Sequence, residues 1–255
     1  MQTNARLGQN VVLSADTQVG HNVTIGNNVT VYPNVIIGDG CTIFDGAVIG
    51  RLPMATRSLT RHIRKDYAPL TLGEGSIIGA NSVLYTGIQL GREVLIGDLA
   101  TIREECNFGD FSVIGRNVLI MYETTIGSRS RVIDGAILTG NMAIEEDVFI
   151  GPGVNTINDD AVYLKRFGLA AFKVQGPTIR RFALIGTGAT LASGIEIGIG
   201  AIVAPHAMVT HDVAAWTIVA GVPAKYVKDV DPVTRQQILA HFGLTDFTNQ
   251  GSPER

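Results

Sequence analysis

The pair Asn158-Asp159 stands where a regular pattern gives way to an irregular stretch, and its residue types suit hydrogen bonding to a ligand. An ionised Asp159 accepts hydrogen bonds, and the Asn158 amide both donates and accepts them. Asn-Asp also opens ordinary loops, because such side chains bond their own backbone. Positions 18 residues apart below Asp159 are Asn141, Glu123 and Glu105; those below Asn158 are Gly140, Tyr122 and Glu104, with Arg103 adjoining. A solvated corner carries charges too, so the set alone does not decide between the readings. The most basic stretch, residues 51–71, holds Arg51, Arg57, Arg61, His62, Arg64 and Lys65. Its cations suit either a diphosphate or the acidic residues of a neighbouring subunit.

The interval of 18 takes its meaning from the surrounding pattern. From Leu72 to Ile150 every sixth residue is Leu, Ile, Val or Phe, and the fifth place of each block is mostly small or β-branched. Six is a multiple of the strand period of two and fits no helical stripe. A short repeat that cannot bury its own apolar face must stack into a solenoid. Three six-residue faces close one coil, so residues 18 apart lie above one another, and Gly in second place is expected to tolerate the tight corner.

The same frame runs from Leu7 to Ile49 and again from Ile179 to Val209. Its complete blocks amount to about nine coils, a prism on the order of 40 Å tall. Residues 51–71 and 156–178 leave the frame as excursions. Asp231-Pro232 predicts a helix start, with Ile238, Leu239 and Phe242 on one apolar side, placed to cover the last open coil. The expected fold is an all-β solenoid over residues 1–230, followed by a short helix and tail at 231–255.

Composition agrees. Of 255 residues, 45% are hydrophobic but only 6% aromatic, so the core must be aliphatic, as a narrow solenoid requires. The net charge of −3 and the absence of a long basic run argue against nucleic acid as a partner. No apolar segment approaches the ~20 residues of a membrane span, and the first residues have no signal-peptide character, so a cytoplasmic location and no membrane partner are expected. Cys41 and Cys106 both take the fifth place of a block and read as small core thiols; no metal site is expected.

The repeat resembles that of the hexapeptide-repeat transferases, [LIV]-[GAED]-x-x-[STAVC]-x, which implies a left-handed parallel β-helix with triangular coils. The resemblance further implies a homotrimer in which an acyl-coenzyme A, here acetyl-CoA, lies in the groove between prisms. The ending Val219-Ala220-Gly221-Val222-Pro223-Ala224-Lys225 is similar to the G-V-P-A-K ending of coenzyme-A-dependent members. It places Gly221, Pro223 and Lys225, together with Arg180, Arg181, Ala183 and Ala201, at the cofactor. The segment from Phe149 to Asp159 resembles F-I-x-P-x-V-x-T-x-N-D of the nucleotide-sugar N-acyltransferases, which acylate the amine of dTDP- or UDP-linked deoxyaminosugars.

That narrower resemblance carries Asn158 and Asp159 onto the pair at the sugar amine. The column below that pair and the basic excursion make Asn141, Glu123, Glu104, Arg103, Arg57, Arg61, His62 and Arg64 candidates for holding the acceptor. Met121 departs from it, standing where many relatives have Glu. An amine acceptor needs no strong base, since at pH 7 a pKa of about 8–9 costs its neutral form only ~1–3 kcal/mol. A hydroxyl acceptor does need one. The rival reading is therefore a sugar O-acetyltransferase using His62, the one histidine in the basic excursion. A donor on acyl carrier protein, a γ-class carbonic anhydrase and a non-catalytic assembly platform fit the residues less well.

Overall fold

The computed structural model describes residues 4–57, 61, 63–171 and 174–245. Three sheets of twelve, ten and nine strands form the faces of a β-solenoid, and most strands are only two residues long. Each pairs in parallel with the strand one coil away: Ile78 faces Ile96, Ile96 faces Ile114, and Ile114 faces Val132. Block openers point inward and stack, so that Ile43, Ile78, Ile96, Ile102 and Ile114 are all buried. Every coil thus adds one aliphatic layer from each face to a single continuous core.

The small fifth place has a hydrogen-bonding reason. Ser76, Ser82 and Ser130 donate from Oγ to the carbonyls of Gly91, Gly97 and Glu145, each 15 residues on, at 3.2, 2.9 and 2.7 Å. Cys106 does the same toward Met121. These buried hydroxyls are satisfied by the next coil, which removes the cost of placing them in the interior.

The role expected of the second-place glycines needs correction. The left-handed backbone falls in fourth place instead, for example at Asn28, Asn81 and Asn117 with φ of 55°, 56° and 55°. Second-place glycine answers to the closeness of stacked coils. A Cβ on Gly38 would lie 2.8 Å from the Leu72 carbonyl oxygen and 2.9 Å from the Glu74 nitrogen, both backbone atoms.

The end of the stack also differs from expectation. Strand Thr217–Ala220 continues the twelve-stranded sheet in parallel, and Lys225–Asp229 folds back antiparallel beside it. Counting unbroken blocks omits this last turn, so the stack exceeds nine coils. Asp231 caps the helix Pro232–His241 by accepting from the Thr234 N–H at 3.0 Å. The helix does not close the prism end. Its Leu239 clusters with Trp216 and Val230 against Phe182, Ile202 and Ile218 on the flank, while Ala224 packs on the core. The returning hairpin occupies the place expected of the helix.

Replacing Gly38 by Ala should therefore destabilise the protein by about 1–3 kcal/mol, because backbone and not a yielding side chain stands in the way. Equilibrium denaturation of the variant against the parent checks this; an unchanged midpoint would contradict the packing account.

Candidate functional site

Both excursions leave the prism at one corner. The first joins strand Val48–Arg51 of the ten-stranded sheet to Leu70–Leu72 of the nine-stranded sheet, and the second joins Asn155–Thr156 to Thr178–Ile179 of the same two sheets. Five strand spacings separate their roots, about 24 Å. The corner between them is built as the interval of 18 predicts. The Glu105, Glu123 and Asn141 N–H groups donate to the carbonyls of Thr86, Glu104 and Tyr122, and Asn158 Nδ2 donates to the Gly140 carbonyl at 3.1 Å.

The first excursion reaches along this corner. Arg61 places Nη2 2.6 Å from Glu104 Oε1, and Arg103 places Nε 2.9 Å from Glu104 Oε2. The Arg61 guanidinium lies 3.4 Å from the centre of the Tyr122 ring, a cation–π stack one coil further on. Arg64 pairs with Glu105. Burial pushes the Glu104 carboxyl up, but its own backbone N–H and the guanidinium groups of Arg103 and Arg61 outweigh burial and hold it below the ordinary value. Arg61 and Arg64 thus meet acidic residues of their own chain. Arg57 is exposed, and His62 lies outside the described residues.

In the second excursion Asp159 is pinned by one oxygen. Its Oδ1 accepts from Lys165 Nζ and from the Ala161 N–H, both at 2.8 Å, across the short helix Val162–Lys165. Among the described residues no donor reaches Oδ2. The Lys165 bond keeps the carboxyl pKa lowered, so Asp159 is a weak base and a fixed acceptor. Asn158 accepts the Gln175 N–H through its carbonyl at 2.8 Å, which anchors the returning chain. Tyr122 and Asn158 stand two coils apart in this column, a backbone separation of roughly 10 Å, and the Tyr122 ring and the Asn158 amide both lie against Gly140 in the coil between. Glu123 and Asn141 beside them are both left-handed at φ of 55° and 60°.

The residues expected at the cofactor do not behave alike. Arg180 bonds Glu145 and Glu196 at 2.8 and 2.6 Å, and Arg181 bonds Asp147 and Glu146, so both charges are neutralised within the chain. The Ala183 and Ala201 side chains fill the core, at 1% and 0% exposure, and face no groove. Gly221, Pro223 and Lys225 sit exposed at the terminal hairpin, and no carboxylate among the described residues pairs with Lys225. Among the described residues no group of three or more His, Cys, Asp or Glu is placed to hold a metal ion, and no helix is long and apolar enough to cross a membrane. Both cysteines are buried, and burial pushes the Cys106 thiol up to about 12.

Three participants have no role in the sequence reading. Lys165 is Asp159's partner, Tyr85 lies under Arg103 with 4.8 Å between guanidinium and ring centre, and Tyr67 packs beside Arg64. The spacing of Lys165 from Asp159 is set by a single helical turn, which leaves no periodic trace.

Residues 4–35 and 16–51 match the family described as bacterial transferase hexapeptide (six repeats), and residues 69–97 match the hexapeptide repeat of succinyl-transferase. Both matches fall on the six-residue repeat that the solenoid displays. Over 59 residues it is 49% identical to a 2,3,4,5-tetrahydropyridine-2,6-dicarboxylate N-acetyltransferase of Staphylococcus aureus (strain bovine RF122 / ET3-1), a stretch that is 22% of this chain and 25% of that protein. The chain thus matches about a quarter of the length of such relatives. Similar solved structures include a hexapeptide-repeat acetyltransferase of Vibrio cholerae O1 biovar eltor complexed with acetyl coenzyme A. That likeness has 20% identity and a TM-score of 0.43, covering 48% of this chain and 70% of that one. Another is the Francisella novicida UDP-N-acetylglucosamine acyltransferase, with 18% identity and a TM-score of 0.48, covering 96% and 71%.

The neutralised corner at Arg181 has a consequence for acid stability. Burial raises the Asp147 carboxyl pKa, and the hydrogen bonds of Arg129 and Arg181 overcome that and hold it below its ordinary value. Its contribution to stability is thus complete above the unfolded-state pKa of about 3.9 and lost as pH falls through the folded one. Denaturation of Asp147→Asn and parent protein should show a gap that is full above about pH 5 and closes below about pH 4. A gap independent of pH would contradict the assignment.

Proposed function

We propose that this protein is an acyl-coenzyme A-dependent N-acyltransferase, with acetyl-CoA as donor and the amine of a nucleotide-linked deoxyaminosugar as acceptor. It acts as a homotrimer in which a neighbouring prism completes the groove for the thioester. The observation that supports this reading is the convergence of both excursions on one corner, whose column holds Glu123, Asn141, Asn158 and Asp159 on successive coils. The matches to transferase hexapeptide repeats and the N-acetyltransferase relative support the general chemistry. The choice of a nucleotide-linked sugar rests on the segment from Phe149 to Asp159.

In this reading the amine arrives neutral and donates a hydrogen bond to Asp159 Oδ2, the oxygen left open by Lys165 and Ala161. Its lone pair attacks the thioester carbonyl carbon. The N–C bond forms, the C–S bond breaks, and the thiolate leaves with the electron pair and takes up the proton that the nitrogen sheds. A backbone N–H of the opposing coil would stabilise the developing oxyanion. Asp159, held ionised by Lys165, serves to orient the nucleophile; a strong base is unnecessary for an amine. Lys225 remains for a coenzyme A phosphate, whereas Arg180 and Arg181 would have to exchange carboxylate partners to do so.

Steady-state assays with acetyl-CoA and matched 3-amino, 4-amino and hydroxyl nucleotide sugars test the proposal. An amino acceptor should be used and its hydroxyl counterpart refused, and Asp159→Asn should lower kcat/KM by roughly 10- to 100-fold, the scale of a misplaced nucleophile. Preference for the hydroxyl sugar, or full activity of the variant, would contradict it.

A further inference from the structure

Glu104 carries more of the site than its burial first suggests. Its side chain is wholly buried, so it has no surface to offer an acceptor. An ionised carboxylate is kept from water only where cations and hydrogen bonds replace the solvent. Here Arg103 binds it in two places, Nε to Oε2 at 2.9 Å and Nη2 to Oε1 at 3.3 Å, and Arg61 binds Oε1 at 2.6 Å. Arg103 belongs to the same coil as Glu104, whereas Arg61 belongs to the excursion, 43 residues earlier in the chain.

The far side of Arg61 is equally constrained. Its guanidinium stacks on Tyr122, and the Tyr122 ring lies against Gly140 in the next coil. A Cβ on Gly140 would come within 2.7–2.9 Å of three Tyr122 ring carbons. The order Glu104, Arg61, Tyr122, Gly140 therefore crosses three successive coils of the corner, each layer leaning on the next. Arg64, bonded to Glu105, is a second point of attachment on the same excursion. The Tyr122 ring meets the same Gly140 to whose carbonyl Asn158 donates, so the stack ends beside Asn158-Asp159.

We infer that Glu104 is a positioning residue. It anchors the described part of the first excursion, at Arg61, as a strap along the corner and, through Arg61 and Tyr122, fixes the surface against which the acceptor is placed. The inference rests on the proposed acyl transfer only for the word acceptor; the strap itself does not. Glu104 never touches substrate, which distinguishes this role from the direct contact expected of it. A strap fixed in this way sets acceptor affinity and leaves the donor's groove alone.

Two variants sever the bond from opposite sides. Glu104→Gln keeps the shape and removes the charge. Arg61→Met removes the excursion's cation and leaves Glu104 paired with Arg103, so it retains a balanced core should the first variant fold poorly. Trypsin cleavage after Arg64 and Lys65, followed by mass spectrometry in the full-length protein without ligands, should accelerate at least tenfold in either variant. In the acyl-transfer assay the acceptor KM should rise about tenfold while kcat and the acetyl-CoA KM stay within twofold. Unchanged proteolysis in Arg61→Met would overturn the strap. Faster proteolysis with an unchanged acceptor KM, or an equal rise in both KM values, would overturn the positioning role. If the parent protein acylates no acceptor, the proposed function fails and the positioning role with it, while the proteolysis comparison still decides whether Glu104 anchors the strap.

Discussion

Everything in this molecule depends on how closely one coil can rest on the next. Parallel strands of two residues hold few hydrogen bonds each, so the stack coheres only if every layer repeats the same register. Second-place glycine permits the approach, as at Gly38, and fourth-place Asn or Gly supplies the left-handed turn that keeps each coil three-sided. Fifth-place hydroxyls such as those of Ser82 and Ser130 tie adjoining layers through carbonyls 15 residues on. With that register fixed, any two residues 18 apart become neighbours, and a column of side chains can be placed along a corner one spacing at a time.

The filled core leaves chemistry to the outside. The protein answers by letting the chain leave the prism twice at the same corner and fold back along it. Charges there are used in two ways. Arg61, Arg64 and Arg103 are bound to Glu104 and Glu105, which ties part of the basic stretch to acidic residues of its own chain. Lys165 binds a single oxygen of Asp159, which fixes that carboxylate. A similar economy holds at the opposite corner, where Arg180 and Arg181 are matched by Glu145, Glu146, Asp147 and Glu196.

The period of six made the solenoid, its core openers and the column from Glu105 to Asn141 legible in the sequence, because stacking turns a count of residues into a distance. The shared corner of the two excursions was not, because the fifteenth strand of the stretch that begins at Leu70–Leu72, Asn155–Thr156, falls outside the aliphatic frame; the structure shows it in the same sheet as Val48–Arg51. What periodicity cannot carry is the fold of the excursions themselves. That Arg61 finds Glu104 and Tyr122, or that Lys165 finds Asp159, depends on loop geometry that no repeat encodes. The helix Pro232–His241 was read correctly from its cap and misplaced in space, because its apolar residues fit the Trp216 flank as readily as an open end.

The central claim is that ligand recognition happens at the corner spanned by the two excursions. Differential hydrogen exchange with coenzyme A and an aminosugar nucleotide, added separately and together, tests it most directly. The account predicts that the aminosugar nucleotide protects the backbone around residues 122–123, 140–141 and 158–161, and leaves the Arg116–Asp134 corner unchanged. Protection confined to another corner, with none around Asp159, would contradict it.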